Sequence, residues 1–298
     1  MNKFLQKCMA HTKKPVNGQR RIPNSHRRYG LLALLLCGNT LLMAQTQVEN
    51  DVADDRITTQ VRMLGIGSTN ILDTYLSPEK YQGADLKFIS HTTREREGKH
   101  LSRQIIHNGN VSYVHNRAGN SNEFAGNYNF SYAWHYKWCF FDNRFRLSAG
   151  ALADVNIGFI YNTRNSNNPA QARANFNIAP SAVVSYRVMM KNRPMILRYE
   201  VSMPLLGVMF SPNYGQSYYE IFSEGNYDHN IVPTTFISTP SMRHMFSIDF
   251  QLLRNTTLRV GYLGDYQQSQ VNLLKTHIYT HSLVVGVVKR FKLIHLRP

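Results

Sequence analysis

The stretch FAGNYNFSYAWHYKW, Phe124 to Trp138, alternates without a fault for fifteen residues. Its even positions are Phe124, Gly126, Tyr128, Phe130, Tyr132, Trp134, Tyr136 and Trp138; its odd positions are Ala125, Asn127, Asn129, Ser131, Ala133, His135 and Lys137. A side-chain period of two belongs to a β-strand, in which successive Cβ atoms point to opposite faces. The strand is far longer than the usual length of about five or six residues. One face is covered in rings and the other is small and polar, so the two faces need different surroundings.

The pattern recurs along the chain. In FRLSAGALADVNIGFIY, Phe145, Leu147, Val155, Ile157, Phe159 and Tyr161 oppose Arg146, Ser148, Asp154 and Asn156. In ARANFNIAPSAVVSY, Phe176, Ile178, Val184 and Tyr186 oppose Arg173, Asn175, Asn177, Ser181 and Ser185. MILRYEVSM sets Leu197, Tyr199 and Val201 against Arg198, Glu200 and Ser202; HMFSIDFQL sets Phe246, Ile248 and Phe250 against Ser247, Asp249 and Gln251. LRVGYLGDY sets Leu258, Val260, Tyr262 and Tyr266 against Arg259 and Asp265, while the last strand, THIYTHSLVVGVVKRF, loses the pattern in its middle. A soluble sandwich alternates too, but with shorter strands and a Lys- and Glu-rich outer face. Here the apolar face carries rings at its ends, as in the aromatic girdles of a membrane barrel. A bilayer offers no water to an open sheet edge, so such a sheet closes on itself.

The expected fold is therefore all-β: a transmembrane antiparallel up-and-down β-barrel of ten strands, near 57–66, 82–92, 102–116, 124–138, 144–161, 171–188, 194–209, 242–253, 256–268 and 276–291. Twelve strands is the alternative, if the segment around Tyr214 to Phe236 holds a hairpin. CFFDN, MKNRP and RN make short turns, whereas GSTNILDTYLSPEKY, NTRNSNNPAQ, the segment Ser211 to Ser241 and QQSQVNLLKT read as longer links. Short periplasmic turns and long outer loops are the habit of outer-membrane barrels, and an even count leaves both termini in the periplasm. TREREGKH is long for a turn and RAGNSNE short for an outer loop.

The N-terminal region fits that destination. Residues 1–28 hold eight Lys and Arg and no acid, and the fourteen-residue stretch Leu31 to Ala44 is apolar. That is a secretory signal peptide over 1–44, with cleavage after Ala44, followed by a barrel domain over 45–298. The stretch is too short for a transmembrane helix, which takes about 20 residues. With eight of 34 basic residues removed, 26 stand against 18 acidic ones, a net charge of +8. Cys8 and Cys37 leave with the signal and Cys139 stands alone, which excludes a disulfide framework and a cysteine metal site.

No nucleophile elbow, phosphate loop, zincin helix or C-x-x-C occurs. His277 and His281, four apart on a strand, sit about 13 Å from each other, too far for one ion. The expectation is no enzymatic activity, no metal and no cofactor. The inward charges Arg146, Asp154, Arg173, Arg198, Glu200, Asp249, Arg259 and Asp265 share a lumen that ten strands leave narrow, and paired there they would plug and rigidify it. Outer loops are where binding resides. Tyr214, Tyr218, Tyr219, Tyr227 and Asp228 are the candidate contacts for a small-molecule or glycan ligand, with the rings expected to pack over the barrel mouth. Lys and Arg are dispersed without a recognition helix, which argues against nucleic acid and for contact with lipid headgroups.

Four segments, NILDTYLSPEKYQG, YNTRNSNNPAQA, FSPNYGQSYYEIF and VGYLGDYQQSQVNLLKTH, resemble an uncharacterised family of Bacteroidetes outer-membrane β-barrels, a domain of unknown function. The resemblance spans most of the mature chain. It implies the outer membrane and its assembly machinery as partners and implies no activity. Such chains commonly end at an aromatic residue, which Phe291 would supply; here KLIHLRP follows it. The expected role is structural or ligand-binding, with a small passive pore or an envelope-modifying hydrolase or acyltransferase as the alternative.

Overall fold

The computed structural model describes residues 56–190, 193–253 and 256–292. The expected signal segment, its cleavage point, Cys8, Cys37 and residues 293–298 lie outside the described residues. The strands are β1 (Arg56–Asp73), β2 (Ser77–Arg96), β3 (Leu101–Asn116), β4 (Asn122–Phe140), β5 (Phe145–Asn162), β6 (Ala170–Met190), β7 (Arg193–Ser202), β8 (Leu206–Phe210), β9 (Ile231–Thr235), β10 (Met242–Leu253), β11 (Thr256–Val271) and β12 (Leu274–Lys292). One short helix, α1 (Tyr218–Phe222), lies between β8 and β9.

Neighbours run β5-β4-β3-β2-β1-β12-β11-β10-β7-β6, and β6 pairs with β5 to close the circle. The wall is thus a closed antiparallel barrel of ten strands. β8 and β9 lie outside that circle as a small hairpin, in register Leu206 with Thr235 and Phe210 with Ile231. This corrects the twelve-strand alternative: the large loop does contain a strand, but that strand adds no stave to the wall.

Register fixes the width. Partners followed once round the wall, from Ser185 through Arg198, Ser247, Gly261, Val284, Gly65, Lys87, Asn110, Asn127 and Gly158, return to β6 at Arg173, twelve residues from the start. With strands about 4.8 Å apart and about 3.3 Å per residue, that stagger tilts the strands by about 40° and sets a radius of about 10 Å. Side chains from opposite walls of such a barrel meet in the middle.

The outer face is the apolar one. Leu64 and Ile66 on β1 are 63% and 68% exposed, and Phe88, Tyr128, Trp134, Ile157, Ile178, Phe246 and Leu283 also face outward. Rings gather near both ends: Tyr136 stacks against His100 and touches Trp138, with Phe140 against Phe145, while Phe124 meets Phe159 and Tyr266 meets Tyr279. The fourteen steps from Phe124 to Trp138, at that tilt, rise about 35 Å along the barrel axis, between the hydrocarbon core and the full bilayer. A soluble protein does not display so much apolar surface around its whole girth. The barrel spans a membrane.

Three expectations are corrected. The links read at 67–81 and 267–276 are strand: β1 and β2 are joined by a turn at Thr74–Leu76, and β11 and β12 by Asn272 and Leu273, whose φ angles are 53° and 63°. Their Asn, Gln and Ser residues extend the ladder beyond the apolar band, where a pairing strand no longer needs a greasy face. TREREGKH likewise becomes strand up to Arg96 and a tight turn around Gly98.

The strand read at 194–209 breaks at Met203–Leu205. Pro204 sits in the break, level with Ala179 on β6: the Met203 N–H donates to the Pro180 carbonyl (3.3 Å) and the Leu205 N–H to the Ile178 carbonyl (3.0 Å). Pro180 has no N–H to return to Met203, and Pro204, whose nitrogen faces away from β6, has none for its other neighbour, so donors are missing at two adjacent levels. Pro233 does not prevent β9 from forming, because β9 is an edge strand paired only with β8.

Candidate functional site

Period two sends one residue in two into the lumen, where the side chains build layers along the axis. At the end that carries the short turns, Glu95 holds Lys137 Nζ at 3.2 Å and Arg146 Nη1 at 3.8 Å. An open cavity of roughly 1000 Å³, counting the space at its mouth, enters the barrel here, bordered by Arg144, Arg146, Arg187, Arg198 and Arg290.

The next layer is a tight charge network. Arg198 Nε donates to Glu200 Oε1 at 2.6 Å, and Gln104 Nε2 donates to Glu200 Oε2 at 3.1 Å. Arg259 donates from Nε and from Nη2, the latter at 2.7 Å, to the two oxygens of Asp249. His91 Nδ1 lies 3.8 Å from Glu200 and makes no hydrogen bond among the described residues. Beside it, Ser181 Oγ and His135 Nε2 are 3.1 Å apart, within the reach a nucleophile and base need, but among the described residues no carboxylate bonds the ring's other nitrogen.

An apolar layer follows, made of Val61, Met63, Ile89, Met245, Leu263 and Val284. Beyond it comes a second polar layer. Lys87 and Asp85 pair at 3.3 Å with almost no exposure, and Asp85 also accepts from Asn110 (2.8 Å) and Ser112 (2.7 Å). Across the lumen Arg243 donates to Asp265 (3.0 Å) and Asn129 (2.6 Å), while Asn177 donates to Asp154 (2.9 Å). Arg173 donates to Gln267 at 3.2 Å. Buried charges held this way have their lone pairs and protons matched to specific partners.

At the far end, Ile71, Leu76, Tyr81, Val114, Ala125 and Ile160 form a second apolar layer. The Tyr81 hydroxyl donates to Ser121 and accepts from Asn162, linking β2 to β5 across the barrel.

The large loop Ser211 to Ser241 lies at this end. Ser217 and Glu220 cap α1 reciprocally. The Tyr218 hydroxyl donates to Gln171 (3.0 Å) and accepts from the Ala172 N–H (2.7 Å), while Tyr75 donates to the Gln216 carbonyl (3.0 Å). Burial, then Asp73 and Glu220, push the Tyr75 phenol up to about 12, and burial raises Tyr218 as well, so both stay protonated donors. Asn272 holds the Ser211 and His229 carbonyls from the opposite turn. The loop thus ties β6, the β1–β2 turn and the β11–β12 turn together.

Of the expected lumen charges, Arg198, Glu200, Asp249 and Arg259 come together in one layer, and Asp154 and Asp265 in another, with Arg173 joined to it through Gln267. Arg146 stands apart at the turn-end mouth. Asp85, Lys87, His91, Glu95, Gln104, Lys137 and Arg243 belong to the same networks and were missed, although parity along β2, β3, β4 and β10 places all of them on the inner face. Among the loop candidates only Tyr218 packs inward, against Tyr75, Phe210 and Phe222. Tyr214, Tyr219 and Tyr227 are exposed, and exposed Asp228 pairs with His229 at 2.6 Å. The expected packing of the rings over the mouth is corrected: one tyrosine and the buried Ile221 suffice to seat the helix, leaving the others in solvent. No group of three or more metal-ligating side chains gathers among the described residues.

No curated protein is significantly similar in sequence. Among solved structures the chain is similar to the outer membrane protease OmpT of Escherichia coli (TM-score 0.49, 7% identity, 82% of this chain and 99% of that one). It is similar also to the transport unit of the autotransporter AIDA-I of Escherichia coli (TM-score 0.41, 7% identity, 89% and 97%). A third likeness is to the translocator domain of the autotransporter NalP of Neisseria meningitidis (TM-score 0.40, 9% identity, 88% and 97%). At that similarity no activity carries across from any of them. The sequence match that does reach along the chain, over residues 30–298, is to a family described as "Protein of unknown function (DUF3316)", and the chain belongs to that family.

Proposed function

We propose that the protein is an integral outer-membrane barrel of a Gram-negative envelope, of the Bacteroidetes type the sequence resembles, with a structural or ligand-binding role and no catalysis of its own. The observation that carries this is the filling of the lumen. Two charge networks alternate with two apolar layers inside a wall of about 10 Å radius, so an ion crossing it would have to break buried pairs and then pass hydrocarbon. The polar mouths, one lined by arginines and one roofed by an exposed tyrosine loop, are where a ligand would meet the molecule. Lipid on the outer face and the assembly machinery are its implied partners.

Membrane fractionation with mass spectrometry of the mature N-terminus tests the location: recovery in the outer membrane with a chain beginning at Gln45 is expected, and a soluble protein retaining Met1 overturns it. Planar-bilayer recording tests the role. Silence is expected; steady conductance selects a pore, and a modified lipid released on incubation with envelope lipids selects an enzyme.

A further inference from the structure

The turn-end cavity holds more positive charge than its own carboxylates neutralise. Seven Lys and Arg side chains border it against Glu95 and Asp249, and Glu200 behind them leaves a surplus of four. The surplus is concentrated on one wall. Arg146 and Arg198 flank Ser185 in a single hydrogen-bonded row, and Arg187 follows Ser185 by two residues on the same inner face. The Arg187 N–H donates to the Arg144 carbonyl at 2.8 Å, which sets Arg144 beside it. Rows about 4.8 Å apart and two-residue steps of about 6.6 Å place these guanidinium groups within reach of one another. Arg198 has Glu200 and Arg146 has half of Glu95, but Arg144 and Arg187 have no carboxylate within 4.0 Å among the described residues. Like charges held so close in a cavity, and not across an open surface, raise the local potential for an anion.

We infer that this vestibule binds a small polyanion carrying several phosphate groups, entering from the turn side, with Arg144, Arg146 and Arg187 as its ligands. Guanidinium forks match phosphate oxygens in pairs, and a surplus of four charges suits an anion of three or more. The inference rests on the reading of a closed, ligand-binding barrel and names the class of ligand. The same chemistry occurs in a lipid headgroup, so the source has to be separated by experiment.

The test is calorimetric titration of the refolded full chain in phospholipid-free micelles with tripolyphosphate. Saturable binding is expected, weakened by about tenfold or more in Arg144→Gln/Arg187→Gln and unchanged in Arg117→Gln at the far end. Glu95→Gln removes a competing carboxylate and should tighten binding. If the double variant fails to fold by circular dichroism, Glu95→Gln decides, and unaltered affinity there overturns the inference. So does a wild type without saturable binding, or a folded double variant that binds as well as wild type. Repeating the titration in nanodiscs distinguishes the source: loss of binding only when anionic lipid is present assigns the site to a headgroup phosphate, and retention assigns it to a soluble one. A wild type that binds but conducts overturns the closed-barrel reading alone; one that is silent and does not bind overturns this inference alone.

Discussion

At the scale of the residue, each inner position is defined by what its partner would lose. Arg259 serves Asp249 bidentately and lies 4.0 Å from Glu200, nearly out of solvent. Arg259→Met should therefore cost about 3–5 kcal/mol, because it strands the buried Asp249 carboxylate, whereas Arg259→Met with Asp249→Leu should recover most of the loss. Urea unfolding of the two variants in lipid vesicles reads the difference. The outer face answers to a different rule. Tyr128 and Ile157 are partners across β4 and β5 and both are exposed, so Tyr128→Arg or Ile157→Arg places a charge in hydrocarbon and should cost about 2–4 kcal/mol, against a mild effect for inward Asn127→Ala. Equal stability of the arginine and alanine variants would mean the faces are reversed. Parity in the sequence was enough to say that Glu200 points inward. It could not say that Gln104, 96 residues away, would meet it, since partners across a lumen depend on stagger, and stagger is a property of the closed sheet.

At the scale of the element, strand existence was legible and strand extent was not. The apolar band imposes a strict pattern only where lipid touches the wall, and β1, β2, β11 and β12 continue past it with residues such as Asn70, Lys80, Gln270 and Lys275. Those read as loop because nothing in their composition marks them as paired. The break between β7 and β8 was legible in principle: Pro204 lies within the strand as it was read, and only the register shows that Pro180 on β6 removes a second donor one level away. The β11–β12 turn puts a second testable mark on the chain. Two positive φ values in succession favour an Asn-Gly turn, and the second position here is Leu273, 88% exposed. Leu273→Gly should relieve the left-handed strain and stabilise the barrel by about 0.5–1 kcal/mol, seen as a raised unfolding midpoint. A lowered midpoint would show that the exposed leucine has a contact worth keeping.

At the scale of the whole molecule, closure is redundant. The large loop ties the far mouth, but two charge layers and two apolar layers lie beneath it. Deleting Tyr214 to Tyr227 should accordingly leave planar-bilayer conductance at baseline; a raised conductance would make the loop the gate. An epitope tag after exposed Gly225 should be readable on intact cells, and a tag seen only after permeabilisation would invert the topology. The seam carries a further consequence. β1 and β12, the first and last of the described strands, pair from Ile57 with Lys292 to Asp73 with Thr276, so the ring has no proper edge only once its final stave has arrived. Until then both ends of the growing sheet are bare templates for another chain, and the contact that removes them spans the greatest sequence distance of any strand pairing among the described residues and pays the largest loop-closure entropy. The order of events is written into the topology: folding can be committed only after β12 has been delivered, and a chain truncated before β12 should accumulate as aggregate or remain with a chaperone, never as a smaller barrel.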